Sequence, residues 1–345
     1  MAGHPSLISL FCGPGGFDEG FKQVGFVTRL AYDLDKACVE THRRNHREAW
    51  ALMVDLSTIQ VSAIKKEWEH RSSTPPVGVI GGPPCQSFSV SNVHQKDGDP
   101  RHKLPEHYAR IMKGLNDEYN IDFFVFENVP GLVTKKHIEK FDVFKELFRQ
   151  AGFEIFEDSL DAQDFGVAQE RRRVFIVGIN RHKYPNFQFV FPSPQAVEIL
   201  TVEHVIKALP EPIHFVKGLR DIPYHPNHWC MSPKSPKFTS GVMEPGTILG
   251  RSFRVLHWKR PSYTVAYGHR EVHVHPSGKR RLSVYEAMLL QGFPPHYELK
   301  GTLSDQIRLV SEAVAPPVAH AIAEALKTQL GITTEQPGLQ QVALV

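Results

Sequence analysis

A doubly wound α/β fold on a mostly parallel sheet is what this sequence predicts, and three observations predict it. From residue 6 to about residue 180, short apolar runs alternate with longer amphipathic stretches, the pattern of parallel strands joined by crossover helices. The first apolar run, SLISLF, opens directly into a glycine-rich turn, CGPGG. With 345 residues, of which 41% are hydrophobic and 22% charged, the chain can bury a full core and carry a smaller second module.

Strands are expected at residues 7–11, 27–32, 77–80, 123–126 and 174–178, with a further strand ending near the 52–54 run. A helix is expected over 140–151, closed by Gly152. These elements make residues 1–184 one domain. Prolines at 185, 192, 194, 210, 212, 223, 226, 233, 236 and 245 forbid long helices, so 185–280 is expected to be a smaller, irregular module of short strands. Helical periodicity returns over 283–291 and 318–330, which reads as the chain rejoining the first domain across 281–331. Residues 332–345 read as a flexible tail.

Composition narrows the function classes. The apolar runs are too short to span a bilayer, and no charged leader with a long apolar stretch follows Met1, so neither membrane insertion nor secretion is expected. Four widely spaced cysteines (Cys12, Cys38, Cys85, Cys230) suit reduced thiols in an intracellular protein, not a disulfide framework or a Cys-rich zinc site. The formal net charge of +3 does not by itself imply a polyanion partner. Its distribution says more: between residues 251 and 281, eight basic residues face the single acid Glu271. Eight histidines between 204 and 275 lack a second cysteine beside Cys230, and no metal site is expected.

Gly13, Gly15 and Gly16 let the backbone turn tightly toward a ligand at a helix N-terminus, and Asp33 ends the second strand some twenty residues later. An acid there suits a ribose diol, as carried by NAD and S-adenosylmethionine alike; the turn alone is also found as a plain tight turn. Asp55 falls where a third strand would end and can accept from an adenine amino group or cap a helix before Ser57. The decisive element is VGVIGGPPCQSFS, in which a buried apolar strand runs into Gly-Gly-Pro-Pro and delivers Cys85 at the carboxyl edge of the sheet. Buried cysteines commonly serve as small hydrophobes, but Pro83, Pro84, Gln86 and Ser87 are poor core material.

On these residues the chain resembles the cytosine-5 DNA methyltransferase family, with GGPPCQSFS similar to that family's nucleophile motif and the order of motifs preserved over roughly residues 6–325. The resemblance implies a class I S-adenosylmethionine-dependent fold. SLFCGPGGF resembles the first cofactor motif, which implies Phe11 near the adenine and Gly13, Pro14, Gly15 and Gly16 at the methionine end. Asp33 then holds the ribose, Asp55 lies near the adenine amine, and Leu34, Leu56, Pro83 and Val314 are further cofactor contacts.

FENVPG resembles the motif whose glutamate, here Glu127, grips a flipped cytosine. Attack of a thiolate on carbon 6 pushes electrons toward carbon 5 and ring nitrogen 3, so an acid donating a proton to that nitrogen stabilises the developing charge. QERRRVFIVG resembles the Gln-x-Arg-x-Arg motif. Alternate positions share a strand face, so Arg171 and Arg173 point one way and Arg172 the other. The resemblance gives Arg173 to the cytosine carbonyl and Arg171 to placing the base and the glutamate. VSNVHQKDGDPRHK resembles the mobile loop that closes on DNA, with Asp99 and Arg101 in its Asp-x-Arg. Ser87, Arg101 and Gln169 are the expected DNA contacts.

LSVYEAMLLQGFP and SEAVAPPVAHAIAEAL resemble the two late motifs, and RPSYTV the element that organises the target-recognition domain, whose place residues 185–280 occupy. Two departures bear on cofactor affinity: the usual Gly-Asn pair reads Ser311-Glu312, and the customary Asp before the first Leu-Phe is Ser9. The activity implied is methylation of cytosine at carbon 5 in a specific duplex DNA sequence, through a covalent Cys85 adduct. Expected alongside are S-adenosylmethionine as cofactor, no metal, a monomeric state and a cytoplasmic, nucleoid-associated location. A cognate restriction endonuclease acting separately is the expected partner. Transfer RNA as substrate, and a catalytically silent DNA-binding regulator, are the alternatives. A nicotinamide oxidoreductase would leave Pro-Pro-Cys-Gln and Gln-x-Arg-x-Arg unexplained.

Overall fold

A computed structural model of the chain describes residues 4–83, 104–194, 198–216, 218, 221–250, 253–264 and 273–334. Seven strands form the central sheet: β1 (Ser6–Leu10), β2 (Val27–Asp33), β3 (Trp50–Met53), β4 (Gly78–Gly81), β5 (Phe123–Asn128), β6 (Phe153–Asp161) and β7 (Arg172–Asn180). Their order is β3-β2-β1-β4-β5-β7-β6. The first five run parallel. The direction of winding reverses between β1 and β4, and the carboxyl ends of strands flanking such a reversal form the ligand crevice of an open α/β sheet.

Helices cover both faces. On one side α3 (Val61–Glu69), α4 (Leu104–Tyr119) and α5 (Ile138–Gln150) bring Ile64, Trp68, Tyr108, Met112, Phe141 and Phe148 into a core with Ile8, Val79 and Phe124. On the other, α1 (Gly16–Gln23) and α9 (Pro316–Leu330) pack Phe17, Phe21, Val318 and Ile322 on Leu7, Ile80 and Val125. Every residue of β4 and β5 is buried, which is why these strands read as unbroken apolar runs.

The 174–178 run differs from its expected place in the parallel series. It lies in β7, antiparallel to both β5 and β6. A short turn over residues 162–165, ended by Gly166 at φ 75°, joins β6 to β7 as neighbours without a crossover helix. β6, FEIFEDSLD, was not legible because it is an edge strand whose middle is largely exposed and acidic, so no apolar run marks it.

After β7 the described residues hold α6 (Val202–Ile206) and two small strand pairs, β8 (Ile213–His214) with β9 (Trp229–Cys230) and β10 (Arg254–Val255) with β11 (His273–Val274). The basic run before residue 281 is not uniformly a surface feature. Arg280 is buried and forks onto Glu286 at 2.9 Å while its Nε meets Glu211 at 2.7 Å, acids that lie outside the run in sequence. Arg281 stacks over Phe253 at 4.3 Å. The chain then returns through α7 (Val284–Leu290) and α8 (Leu303–Glu312) to α9. Capping boxes start the first two: Ser283 with Glu286, and Thr302 with Asp305.

Helices α1 and α9 cross at Gly20, where a Cβ would lie 2.4 Å from the Pro316 carbonyl oxygen and 2.5 Å from Ala319 Cβ. Gly20→Ala is expected to lower stability by about 1–3 kcal/mol through overpacking. Urea unfolding of the variant should show an earlier midpoint at unchanged slope; a midpoint equal to the parent's would contradict this packing.

Candidate active site

The crevice begins where β1 ends. Phe11 (φ 53°) and Gly13 (φ 54°) turn the chain, and Gly15 (φ 90°) caps α1. A Cβ at Gly15 would meet His46 Nε2 and the Tyr297 hydroxyl, both at 2.6 Å, and one at Gly16 would meet the Val314 carbonyl oxygen at 2.3 Å. Only glycine lets the return segment and α2 (Lys36–Asn45) close on this turn. Asp33 holds the turn from β2: its Oδ2 accepts from Gly13 N at 2.9 Å and its Oδ1 from Asp35 N at 2.8 Å. Burial pushes the Asp33 carboxyl up, against those two amide hydrogen bonds.

A cavity opens beside the turn. Its walls are Ser9, Phe11, Cys12, Gly13, Pro14, Gly16 and Phe17 from the β1–α1 connection, Gly81 and Gly82 from the end of β4, Glu127 from β5, and Glu312, Ala313 and Val314 from the return segment. The structure thus brings together Phe11, Gly13, Pro14, Gly16, Glu127 and Val314, with Asp33 bonded to the turn. Leu34, 67% exposed, and Met53 stand at the outer ends of β2 and β3. Asp55 Oδ1 accepts from Ser57 N at 2.9 Å and Ser57 Oγ at 2.7 Å in a local turn, with no helix starting at Ser57: α3 begins at Val61 with Gln60 as its N-cap. The Leu56 side chain is packed in the core, leaving only its backbone to offer a ligand.

Glu127 and Arg173 face each other on β5 and β7. Arg173 Nε lies 3.0 Å from Glu127 Oε1, and a Cβ at Gly82 would sit 3.0 Å from Glu127 Oε2. The segment that leads through the buried Pro83 toward Cys85 therefore leaves the sheet against this carboxylate. Burial pushes Glu127 up, opposed by Arg173 and then Arg171. Arg171 adds a structural task that spacing did not show: its Nη2 donates to the Ser311 and Ala313 carbonyls at 2.9 and 2.7 Å. Arg172, on the other face, is exposed near Asp161.

Gln169 is buried, its backbone bridges Ser262 of the RPSYTV element, and its side-chain amide has no hydrogen-bond partner among the described residues. Cys85, Ser87 and Arg101 lie outside the described residues.

Sequence reasoning missed the network beneath the turn. Asp18, in α1, accepts from Ser9 Oγ at 3.0 Å and Thr28 Oγ1 at 2.8 Å and faces His42 Nε2 at 3.3 Å. The His42 and His46 rings pack at a tilt with centroids 4.6 Å apart; His46 Nε2 meets the Tyr297 hydroxyl at 3.0 Å, which donates to the Pro14 carbonyl. Ser9 is thereby explained: an aspartate there would set a second carboxylate against Asp18. Burial alone would raise Asp18, but His42, His46 and Thr28 hold it down at about 2.

A carboxylate lowered in the folded state stabilises the fold above its ordinary value and loses that contribution as pH falls through the lowered one. Asp18→Asn is expected to cost up to about 2 kcal/mol at neutral pH, the deficit shrinking as pH is lowered from about 4 toward about 2. Denaturant titrations of parent and variant across that range measure it; a deficit independent of pH would contradict the assignment.

With this geometry in place, comparison with known proteins is direct. The family model for C-5 cytosine-specific DNA methylase matches residues 6–328. Type II methyltransferase M.FnuDI of Fusobacterium nucleatum is 32% identical over 351 residues, covering 94% of each chain. Type II methyltransferase M.MthTI of Methanothermobacter thermautotrophicus is 32% identical over 349 residues, covering 94% of this chain and 97% of its own. A solved putative DNA modification methyltransferase encoded within an E. coli prophage shares the fold with a TM-score of 0.78 at 23% identity, over 94% of this chain and 99% of that one. The chain belongs to the C-5 cytosine-specific DNA methylases, enzymes that methylate cytosine in DNA.

Proposed function

We propose that this chain moves a methyl group from S-adenosylmethionine to carbon 5 of a cytosine flipped out of a specific duplex DNA sequence, with Cys85 as nucleophile. The observation that carries the reading is the Glu127–Arg173 pair, whose glutamate lies on the wall of the glycine-turn cavity against Gly82, three residues before Cys85 in the sequence.

The residues present fit the cofactor. Among the described residues no side chain caps the first turn of α1, so its amides point toward a ligand carboxylate beside Gly16. Asp33, with lone pairs left over from its two amide bonds, suits a ribose diol, and the exposed Leu34 gives an apolar surface for the adenine. Bound there, the cofactor supplies an electrophilic methyl group.

The chain's own residues do the rest. Cys85 as thiolate adds to carbon 6 of the cytosine. Glu127 faces ring nitrogen 3, and its carboxyl, pushed up by burial against Arg173 and Arg171, shares a proton with that nitrogen as the addition builds negative charge there. Arg173 keeps the Glu127 side chain oriented and offers its remaining N–H groups to the cytosine carbonyl. Carbon 5 takes the methyl group, leaving S-adenosylhomocysteine; a base then removes the carbon-5 proton, and the electron pair left behind re-forms the ring double bond as Cys85 departs as thiolate. Ser87 and Arg101 contact the DNA, Arg101 from a loop that closes over the flipped base and excludes water. Residues 1–184 and 281–331 are the catalytic part and 185–280 the target-recognition part. The enzyme is read as a cytoplasmic monomer working beside a separate restriction endonuclease, a pairing that suits relatives named Type II methyltransferases.

Labelled S-adenosylmethionine should methylate mixed-sequence duplex DNA and not total transfer RNA, with bisulfite sequencing placing the product in one sequence context. Cys85→Ala should abolish transfer, and Glu127→Gln should lower the rate by about 10²-fold or more. Label on RNA alone, or transfer that survives Cys85→Ala, would overturn the substrate or the nucleophile.

A further inference from the structure

We propose that Glu312 accepts the α-ammonium group of the cofactor, so that this cavity selects its ligand by the charge of the amino-acid end. The inference rests on the S-adenosylmethionine reading and gives a function to the residue standing where the family's motif carries an amide.

Glu312 is the last residue of α8 and lines the cavity beside the glycine turn. Its side chain keeps 36% of its surface open, against 11% for Glu127, the other carboxylate in the wall. The described lining includes no Lys, Arg or His side chain. Glu127 is turned to Arg173 on β7. Glu312 meets Arg308 Nη1 at 2.8 Å, but that guanidinium is shared: its Nη2 lies 2.8 Å from Asp35 Oδ2 and 3.8 Å from Asp305 Oδ1. One guanidinium is thus shared among three carboxylates, of which Glu312 is the one on the cavity wall, and a carboxylate has lone pairs for several donors. Burial pushes the Glu312 carboxyl up and Arg308 opposes it, with Asp33 and Asp35 adding to the rise. A ligand cation relieves that crowding of negative charge.

The two ends of an α-amino acid fit side by side. A Cβ at Gly16 would touch the Val314 carbonyl oxygen, two residues beyond Glu312, so the uncapped start of α1 adjoins the segment carrying Glu312. A carboxylate on the α1 amides then places the neighbouring ammonium toward Glu312. Arg308 acts as a positioning residue, tying Glu312 to Asp35 at the N-cap of α2.

The test is calorimetric binding to the full chain of three probes: S-adenosylhomocysteine, its analogue lacking the α-amino group, and 5′-methylthioadenosine, which lacks the whole amino-acid end. The parent is expected to bind the deaminated analogue on the order of tenfold more weakly than S-adenosylhomocysteine, the worth of about one charge-assisted hydrogen bond. Glu312→Gln should lose a similar factor for S-adenosylhomocysteine and leave the other two probes within about twofold of the parent. Equal affinity of the parent for S-adenosylhomocysteine and its deaminated analogue would overturn the proposal without any variant. So would an equal loss of all three probes in Glu312→Gln. Failure of the parent to bind any of the three would overturn the cofactor reading itself.

Discussion

Burying Glu127 beside Arg173 constrains how the second half of the sheet is built. Two charges taken out of water cost more than their attraction returns unless the geometry is close and the remaining groups are satisfied. The antiparallel placement of β7 meets that demand. It sets Glu127 of β5 opposite Phe175, two residues from Arg173, so the arginine reaches the carboxylate from the neighbouring strand. The same strand direction brings Arg171 to the return segment. A parallel β7, connected by a crossover helix, would deliver that motif at the opposite edge of the sheet.

The cavity is consequently made by parts of the chain that are far apart in sequence. The β1–α1 turn provides its floor, β4 and β5 one wall, and residues 312–314 the other. That last wall is fixed by Arg171 and by Gln291, which both donate to the Ala313 carbonyl, at 2.7 and 2.8 Å. It is fixed again by the crossing of α1 with α9 and by Tyr297 on the Pro14 carbonyl. The glycine turn is thus gripped from the core below, through Asp18 and His46, and from the C-terminal segment beside it. A cofactor held by a turn with this many ties meets a surface already ordered, so less of its binding energy is lost in arranging the protein.

The parallel half of the fold was legible because its strands are buried on both faces and punctuated by glycine. Residues 27–32, 77–80 and 123–126 fall within or against β2, β4 and β5, and Gly152 does follow α5, at φ 99°. β6 was illegible for the opposite reason: half-exposed edge strands carry no apolar run. Among site residues, Glu127, Arg173 and the glycine turn carried signals in their motifs. His42, His46 and Tyr297 carried none, since their partnership spans some 250 residues and depends on α2 meeting the return segment. Ser9 and Glu312 showed only as departures until Asp18 and Arg308 supplied their partners.

The central claim is that the segment leaving β4 past Glu127 presents Cys85 to a flipped cytosine. Its most direct test is mass spectrometry of the protein incubated with S-adenosylmethionine and duplex oligonucleotides containing 5-fluorocytosine, whose fluorine blocks the final loss of a proton. The account predicts a stable protein–DNA adduct whose DNA-bearing peptide contains Cys85. No adduct despite DNA binding, or an adduct mapped to Cys12, Cys38 or Cys230, would contradict it.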